Sequence, residues 1–304
     1  MDDVILFNSA VFKVRIRRLH GRTGTKCGLQ SKSTRTPGLI SKQVQEWHDV
    51  VPYPCSKSKE CRWVKFQESH QTCDHEHDDA ISDTIELTGR WADCDILDKL
   101  QNSRPSRSAD DIYVEIGGNI GSCVFHMLLH TDAHRKVFEP NPDNLFCLTS
   151  TLLQLSEETQ NRVALYPIAL GQHKSTSKLY VSSKDAGNGV LNQKLGRSHE
   201  NFNQPIDIEV RRYDELLTKH DSVGLLKMDA QGHECAIVRS MGRLVQHIKV
   251  IKTDIINLWR SGHQNCSDSI LFNLLQTHGR RVQDEHVVVL TESRVLDVYD
   301  VIAS

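Results

Sequence analysis

Ile112-Tyr-Val-Glu-Ile-Gly-Gly-Asn-Ile-Gly121 decides the fold. The β-branched and aromatic run 112–116 reads as a strand. Residues 120–130 read as a helix, with Val124/Leu128 and Phe125/Leu129 each four apart on one face. Between the two, Gly117, Gly118 and Gly121 permit a tight turn and let a ligand approach the backbone. The same change of period recurs downstream. Residues 136–139 form a second expected strand, and Asn141-Pro142 supply an N-cap and a first helical residue. The helix they start puts Leu145, Leu148, Leu152 and Leu155 on one side. Further strands are expected at 163–170, 223–229 and 249–255, with an excursion at 177–181 and 206–210. Helices are expected around Ile237 to Val245 and after Ser267-Asp268, and a closing hairpin at 287–290 and 295–301.

Strands alternating with helices imply a mostly parallel sheet covered on both faces, here of seven strands with an antiparallel edge. Ligands of such sheets sit beyond the strand C-termini, where the strand order reverses. That rule selects residues 115–121, Glu139, 168–171 and 227–234. The dinucleotide fingerprint needs glycine at its third place, and Asn119 stands there, which counts against a nicotinamide oxidoreductase. An acid at 115 also suits a cationic ligand better than a pyrophosphate. Glu139, 24 residues on, is placed to accept from the two hydroxyls of a ribose. Its plainer reading is a carboxylate favoured by the start of the next helix.

Four stretches together resemble the FkbM family of S-adenosylmethionine-dependent methyltransferases. Glu115-Ile-Gly-Gly-Asn-Ile-Gly121 is similar to the family's Asp-Val-Gly-Ala-Asn-Ile-Gly, and Val137-Phe-Glu-Pro-Asn-Pro142 to its Phe-Glu-Pro-Asn-Pro. Tyr166-Pro-Ile-Ala-Leu-Gly171 resembles the turn ending its third strand. Leu226-Lys-Met-Asp-Ala-Gln-Gly-His-Glu234 resembles Leu-Lys-Ile-Asp-Val-Glu-Gly-Ala-Glu. The resemblance runs from about Asp110 to Ile255. It implies a Rossmann-like class I methyltransferase fold, S-adenosylmethionine as cofactor, and methylation of a hydroxyl on a small molecule, glycan or lipid. Cofactor contacts are implied for Glu115, Gly117, Gly118, Asn119, Gly121, Glu139, Pro140, Asn141, Ala169 and Leu170. Asp229 is the first candidate to orient or deprotonate the acceptor, with an N-cap as its structural alternative. His233 is the second, because imidazole titrates near neutrality. Lys227 is expected to pack or to pair with an acid. Gln231 stands where the family has an acid and His233 where it has a small residue, so a relative that binds the cofactor without turnover is the alternative function.

The chain has 304 residues, 38% hydrophobic and 25% charged, with a net charge of −2. That supports a sizeable core and makes nucleic acid no default partner. No apolar stretch is long enough to span a membrane. Nine basic and no acidic residues fall between Val4 and Gln45. This is the composition of a solvated tail or a transit segment, and the Met1-Asp2-Asp3 start speaks against the latter. Residues 1–85 are expected to be an irregular N-terminal region and 86–304 the methyltransferase domain. Of nine cysteines, Cys123, Cys147 and Cys235 fall in apolar helical patterns and read as buried thiols. Cys55, Cys61, His70, Cys73, His75 and His77 admit zinc, disulfides or a plain loop, and no metal ligands are assigned. The compartment stays open, with the cytoplasm slightly favoured.

Overall fold

A computed structural model describes residues 61–67, 70–75, 79–103, 108–182, 189–191, 204–254, 266–280 and 282–284, and strand backbone at 4–8, 13–21, 24–32, 52–54 and 300–303. The first four strands, β1 (Val4–Asn8), β2 (Lys13–Gly21), β3 (Gly24–Lys32) and β4 (Pro52–Pro54), pair antiparallel in sequence order. A hairpin, β5 (Arg62–Phe66) and β6 (His70–Asp74), leads into helices α1 (Ala80–Thr88) and α2 (Asp95–Ser103). Then come β7 (Ile112–Ile116), α3 (Ser122–His130), β8 (Arg135–Phe138), α4 (Pro142–Leu152), the single turn α5 (Glu157–Gln160) and β9 (Val163–Tyr166). Four short strands follow, β10 (Ala169–Leu170), β11 (Ser175–Val181), β12 (Gly189–Leu191) and β13 (Ile206–Arg211). The chain continues through β14 (Val223–Met228), α6 (Glu234–Met241), β15 (Ile248–Asp254), α7 (Asp268–Thr277), β16 (Val282–Asp284) and β17 (Asp300–Ala303).

The main sheet has the order β16-β17-β15-β14-β7-β8-β9. Its parallel part is five strands, β15 to β9, and not seven. β16 and β17 add an antiparallel edge. The described parts of this edge are 282–284 and 300–303, the latter overlapping the end of the strand expected at 295–301; 287–290 and 295–299 lie outside the described residues. The expected strand 163–170 is broken at Pro167, which cannot donate to a ladder. Its tail, β10, leaves the main sheet and pairs with β13 in a four-stranded side sheet, β10-β13-β11-β12.

Alternation along the strands covers both faces. Val114, Leu226 and Ile251 pack on α6 and α7 through Ile237, Val238, Leu271 and Leu275. Tyr113, Leu225 and Val250 face the other way, onto Leu97 of α2 and Met127 of α3. On that side Val137 and Leu165 meet α3, α4 and the hairpin residues Val64 and Phe66. Within the tract read as irregular up to residue 85, the described residues include strands β1 to β6 and part of α1, and the hairpin and α1 bury Val64, Phe66, Cys73 and Ile85 in this cluster.

Three disulfides correct the cysteine reading. Cys61–Cys73 crosses the hairpin, Cys94–Cys123 ties the turn before α2 to α3, and Cys235–Cys266 ties α6 to the start of α7. Cys123 and Cys235 are therefore bonded, and Cys147 is buried and outside these three disulfides. With Cys61 and Cys73 joined to each other, neither offers a thiolate to zinc; Cys55 and His77 lie outside the described residues.

Candidate functional site

Strand order reverses between β7 and β14, and the two strand ends build a cleft there. Gly117 follows β7 with φ +84°, and a Cβ on it would overlap the Asp229 carbonyl beyond β14. The two strand ends can meet only because residue 117 has no side chain. Gly117 and Gly118 both donate to the Phe138 carbonyl, at 2.9 and 3.0 Å, which joins the turn to β8. Gly121, φ +95°, is the N-cap of α3, where a Cβ would lie 2.5 Å from the Phe125 ring. Asn119 takes a left-handed φ of +49°, uncommon for a residue with a side chain, and so turns its N–H onto Glu139.

Glu139 is held from three sides. Its Oε2 accepts from the Asn119 N–H at 2.7 Å, and its Oε1 from the Asn141 N–H at 2.8 Å and Asn144 Nδ2 at 3.3 Å. An ionised carboxylate offers about four acceptor positions, so one remains for a ligand. Burial pushes its pKa up to about 7, against the pull of those donors. Beyond β14, Gln231 (φ +49°) and Gly232 (φ +97°) bend the chain, and Gln231 Nε2 donates to Asp229 Oδ1 at 2.8 Å. The buried Glu234 closes this turn by accepting from the Ala230 N–H at 2.8 Å, and burial pushes its carboxyl up to about 8. His233, not Asp229, is the N-cap position of α6.

The cleft is open to solvent, and about 620 Å³ of space, open solvent included, lies within its walls. It brings together Gly117, Asn119, Glu139, Pro140, Asn141, Ala169, Leu170, Asp229 and His233 from the sequence-derived set. Gly118 and Gly121 shape the turn without lining it. Glu115 also lies off the wall: it is buried, accepts from the Tyr113 hydroxyl at 2.9 Å and faces Lys227 Nζ at 3.8 Å. Burial pushes its pKa up to about 7. Lys227 does pair with acids, Glu115 and Asp93, and Asp93 also binds Lys252. The excursion 171–222, where the sequence places acceptor recognition around Gly187-Asn188-Gly189, contributes Leu179, Gly189 and Leu191 to the cleft; the sequence did not single out Asn144, Leu179 or Leu191 individually. Asn144 was findable as the residue one turn into the helix that starts at Asn141-Pro142. Leu179 and Leu191 were not, because β10 changes sheets.

No Lys or Arg is among the lining residues; Glu139 and Asp229 are the charged ones. A pyrophosphate would face two carboxylates, whereas a sulfonium and an amino group would be attracted by them. A cradle that only glycine admits, a carboxylate for a ribose and an anionic wall fit an adenosyl sulfonium. The family model for the methyltransferase FkbM domain matches residues 115–281. The chain belongs to the FkbM methyltransferase family.

S-adenosylmethionine is accordingly the cofactor of this FkbM protein. The solved structures similar to it include a precorrin-6y C5,15-methyltransferase from Geobacter metallireducens, 12% identical, covering 68% of this chain and 86% of that one, TM-score 0.37. A TehB-like SAM-dependent methyltransferase from Corynebacterium glutamicum is 5% identical, with 73% and 91% covered and a TM-score of 0.37. A mitomycin 7-O-methyltransferase is 13% identical, with 72% and 54% covered and a TM-score of 0.35. No curated protein matches the FkbM chain. Among its described residues no helix is long and apolar enough to cross a membrane.

Proposed function

We propose that this FkbM methyltransferase methylates a hydroxyl oxygen of a small-molecule, glycan or lipid acceptor. S-adenosylmethionine supplies a methyl group already activated by a positive sulfur. The protein's residues hold the adenosyl end, place the acceptor and receive its proton. Glu139 is the acceptor for ribose hydroxyls, and Phe138, Ile168 and Leu170 give the cleft an apolar wall. The side-sheet residues Leu179, Gly189 and Leu191 form the opposite wall, on the side left for the acceptor. An alcohol is a weak nucleophile until a base takes its proton. Asp229 is that base, and His233, lining the same cleft, is the group that can take the proton onward.

The observation that carries this reading is the placement of Asp229. Its backbone touches the glycine cradle, and the Gln231 amide fixes one carboxylate oxygen. No second partner of that carboxylate exists among the described residues. Gln231, standing where relatives have an acid, donates to Asp229 as an acid could not. The test is methyl transfer from labelled cofactor to a panel of hydroxylated sugars, lipids and polyketides, with Asp229→Asn as the comparison. Transfer should fall by about 10²–10⁴-fold in Asp229→Asn, the usual worth of a general base, with S-adenosylhomocysteine affinity unchanged. Silence across the panel with intact S-adenosylhomocysteine binding would favour a cofactor-binding protein without turnover.

A further inference from the structure

On the α2–α3 side of the sheet, three side chains from two helices converge. His126 and His130 are one turn apart on α3, and Asp98 reaches them from α2. His126 Nε2 lies 3.0 Å from Asp98 Oδ2, His130 Nδ1 lies 3.2 Å from His126 Nε2, and His130 Nδ1 lies 3.8 Å from Asp98 Oδ2. We propose that Asp98, His126 and His130 bind one zinc ion that clamps α2 to α3.

The spacing is the first argument. Zinc bonds of about 2.0–2.2 Å to imidazole and carboxylate put tetrahedral ligand atoms about 3.3–3.6 Å apart. The three observed separations straddle that value. The second argument is hydrogen-bond arithmetic. In a neutral imidazole, Nε2 carries either a hydrogen or a lone pair. If His126 Nε2 carries the hydrogen, it serves Asp98 and leaves His130 Nδ1 only a share of the same bond; if it carries the lone pair, Asp98 loses this donor. A cation at the centre satisfies all three atoms at once. Two imidazoles and one carboxylate are a zinc ligand set, whereas calcium and magnesium prefer oxygen alone.

Support for the ligands is present too. Gln67 Nε2 lies 3.1 Å from His126 Nδ1 and donates to it in the metal-free arrangement; on zinc binding the amide turns over, so that its carbonyl accepts Nδ1–H. That fixes the lone pair on Nε2, where the metal is, as outer-sphere partners of zinc histidines do. Gln67 is itself held by its N–H on the Gly89 carbonyl at 2.6 Å. The fourth position points to water, since the Asp98 and His130 side chains are 39% and 43% exposed while His126 is 7% exposed. None of the three lines the cofactor cleft, so the clamp is separate from methyl transfer. The Cys94–Cys123 disulfide crosses the same joint, so a variant lacking the metal keeps one tie between the two segments.

The experiment is zinc titration by calorimetry into the full chain after chelation and dialysis, with cobalt substitution as a spectroscopic reading. One equivalent should bind, and cobalt should give the visible absorption of a tetrahedral site. His130→Ala, a partly exposed position, should weaken zinc by more than the roughly 10–100-fold typical of losing an outer-sphere partner, with an unchanged circular dichroism spectrum. Asp98→Asn should do likewise, and the exposed His247→Ala should change nothing. Absence of zinc binding, or binding that survives His130→Ala, would overturn the proposal.

Discussion

Two non-glycine residues in left-handed backbone, Asn119 and Gln231, line the cleft from its two sides. Backbone held in sparsely populated regions tends to collect at functional sites, and here each strained residue delivers a hydrogen bond to an acid. Asn119 donates to Glu139, and Gln231 to Asp229. Gln231→Asn retains a residue type tolerant of that backbone but shortens its reach. Turnover should fall by roughly tenfold, the loss of about one hydrogen bond, while S-adenosylhomocysteine affinity holds; steady-state kinetics beside calorimetry read both. Glu139 gives a pH test. Its carboxyl ionises near 7, and only the ionised form offers both oxygens as acceptors, so cofactor affinity should rise by about tenfold from pH 6 to pH 8. A flat profile would show that its charge is not used. These motifs could be read in the sequence because each function depends on one residue type at one strand end. The burial of Glu115 could not, since it depends on Tyr113 and Lys227, which meet it from its own strand and from β14.

Helices and strands were legible wherever one face was apolar: α3, α4, α6 and the five parallel strands all stand near their expected positions. Departures follow from contacts that periodicity does not encode. Pro167 moves β10 into the side sheet, and pairing within that sheet sets Leu179 opposite Leu191, both of which line the cleft. The hairpin β5–β6 is polar on one side and finds its apolar partners in other elements, α1, α3 and α4 among them, so its own text reads as irregular. The Cys94–Cys123 bond joins residues 29 apart in sequence. Closing a loop of that length should contribute about 3.6 kcal/mol. Replacing both residues by alanine should lower unfolding free energy by about that much in a urea titration; no change would show the bond to be unformed in solution.

For the molecule as a whole, the three disulfides among the described residues are bonds that an oxidising environment preserves. Peptide mapping without reductant should recover the three pairs, with Cys147 in none of them. Stability should also depend on pH. Glu115 and Glu139, near 7, and Glu234 and Asp74, near 8, are all raised by burial. A raised carboxyl holds its proton more tightly folded than unfolded. Its stabilisation is complete below the unfolded value, about 4.5, and is lost as pH climbs through the folded one. His126, lowered by burial, acts in the opposite sense only below about pH 6.5. The melting temperature of the ligand-free protein should therefore fall between about pH 6.5 and 8.5, and a rise would refute the assignment of these acids. Above all, the proposed adenosyl pocket rests on the glycine turn and Glu139 lining one cleft. Calorimetric titration of S-adenosylhomocysteine into the wild-type chain and Glu139→Ala tests that most directly. Binding weakened by about 1–3 kcal/mol in Glu139→Ala is the expected result, the size of a lost charge-assisted hydrogen bond. Equal affinity in the two proteins, or no binding to the wild type, would contradict it.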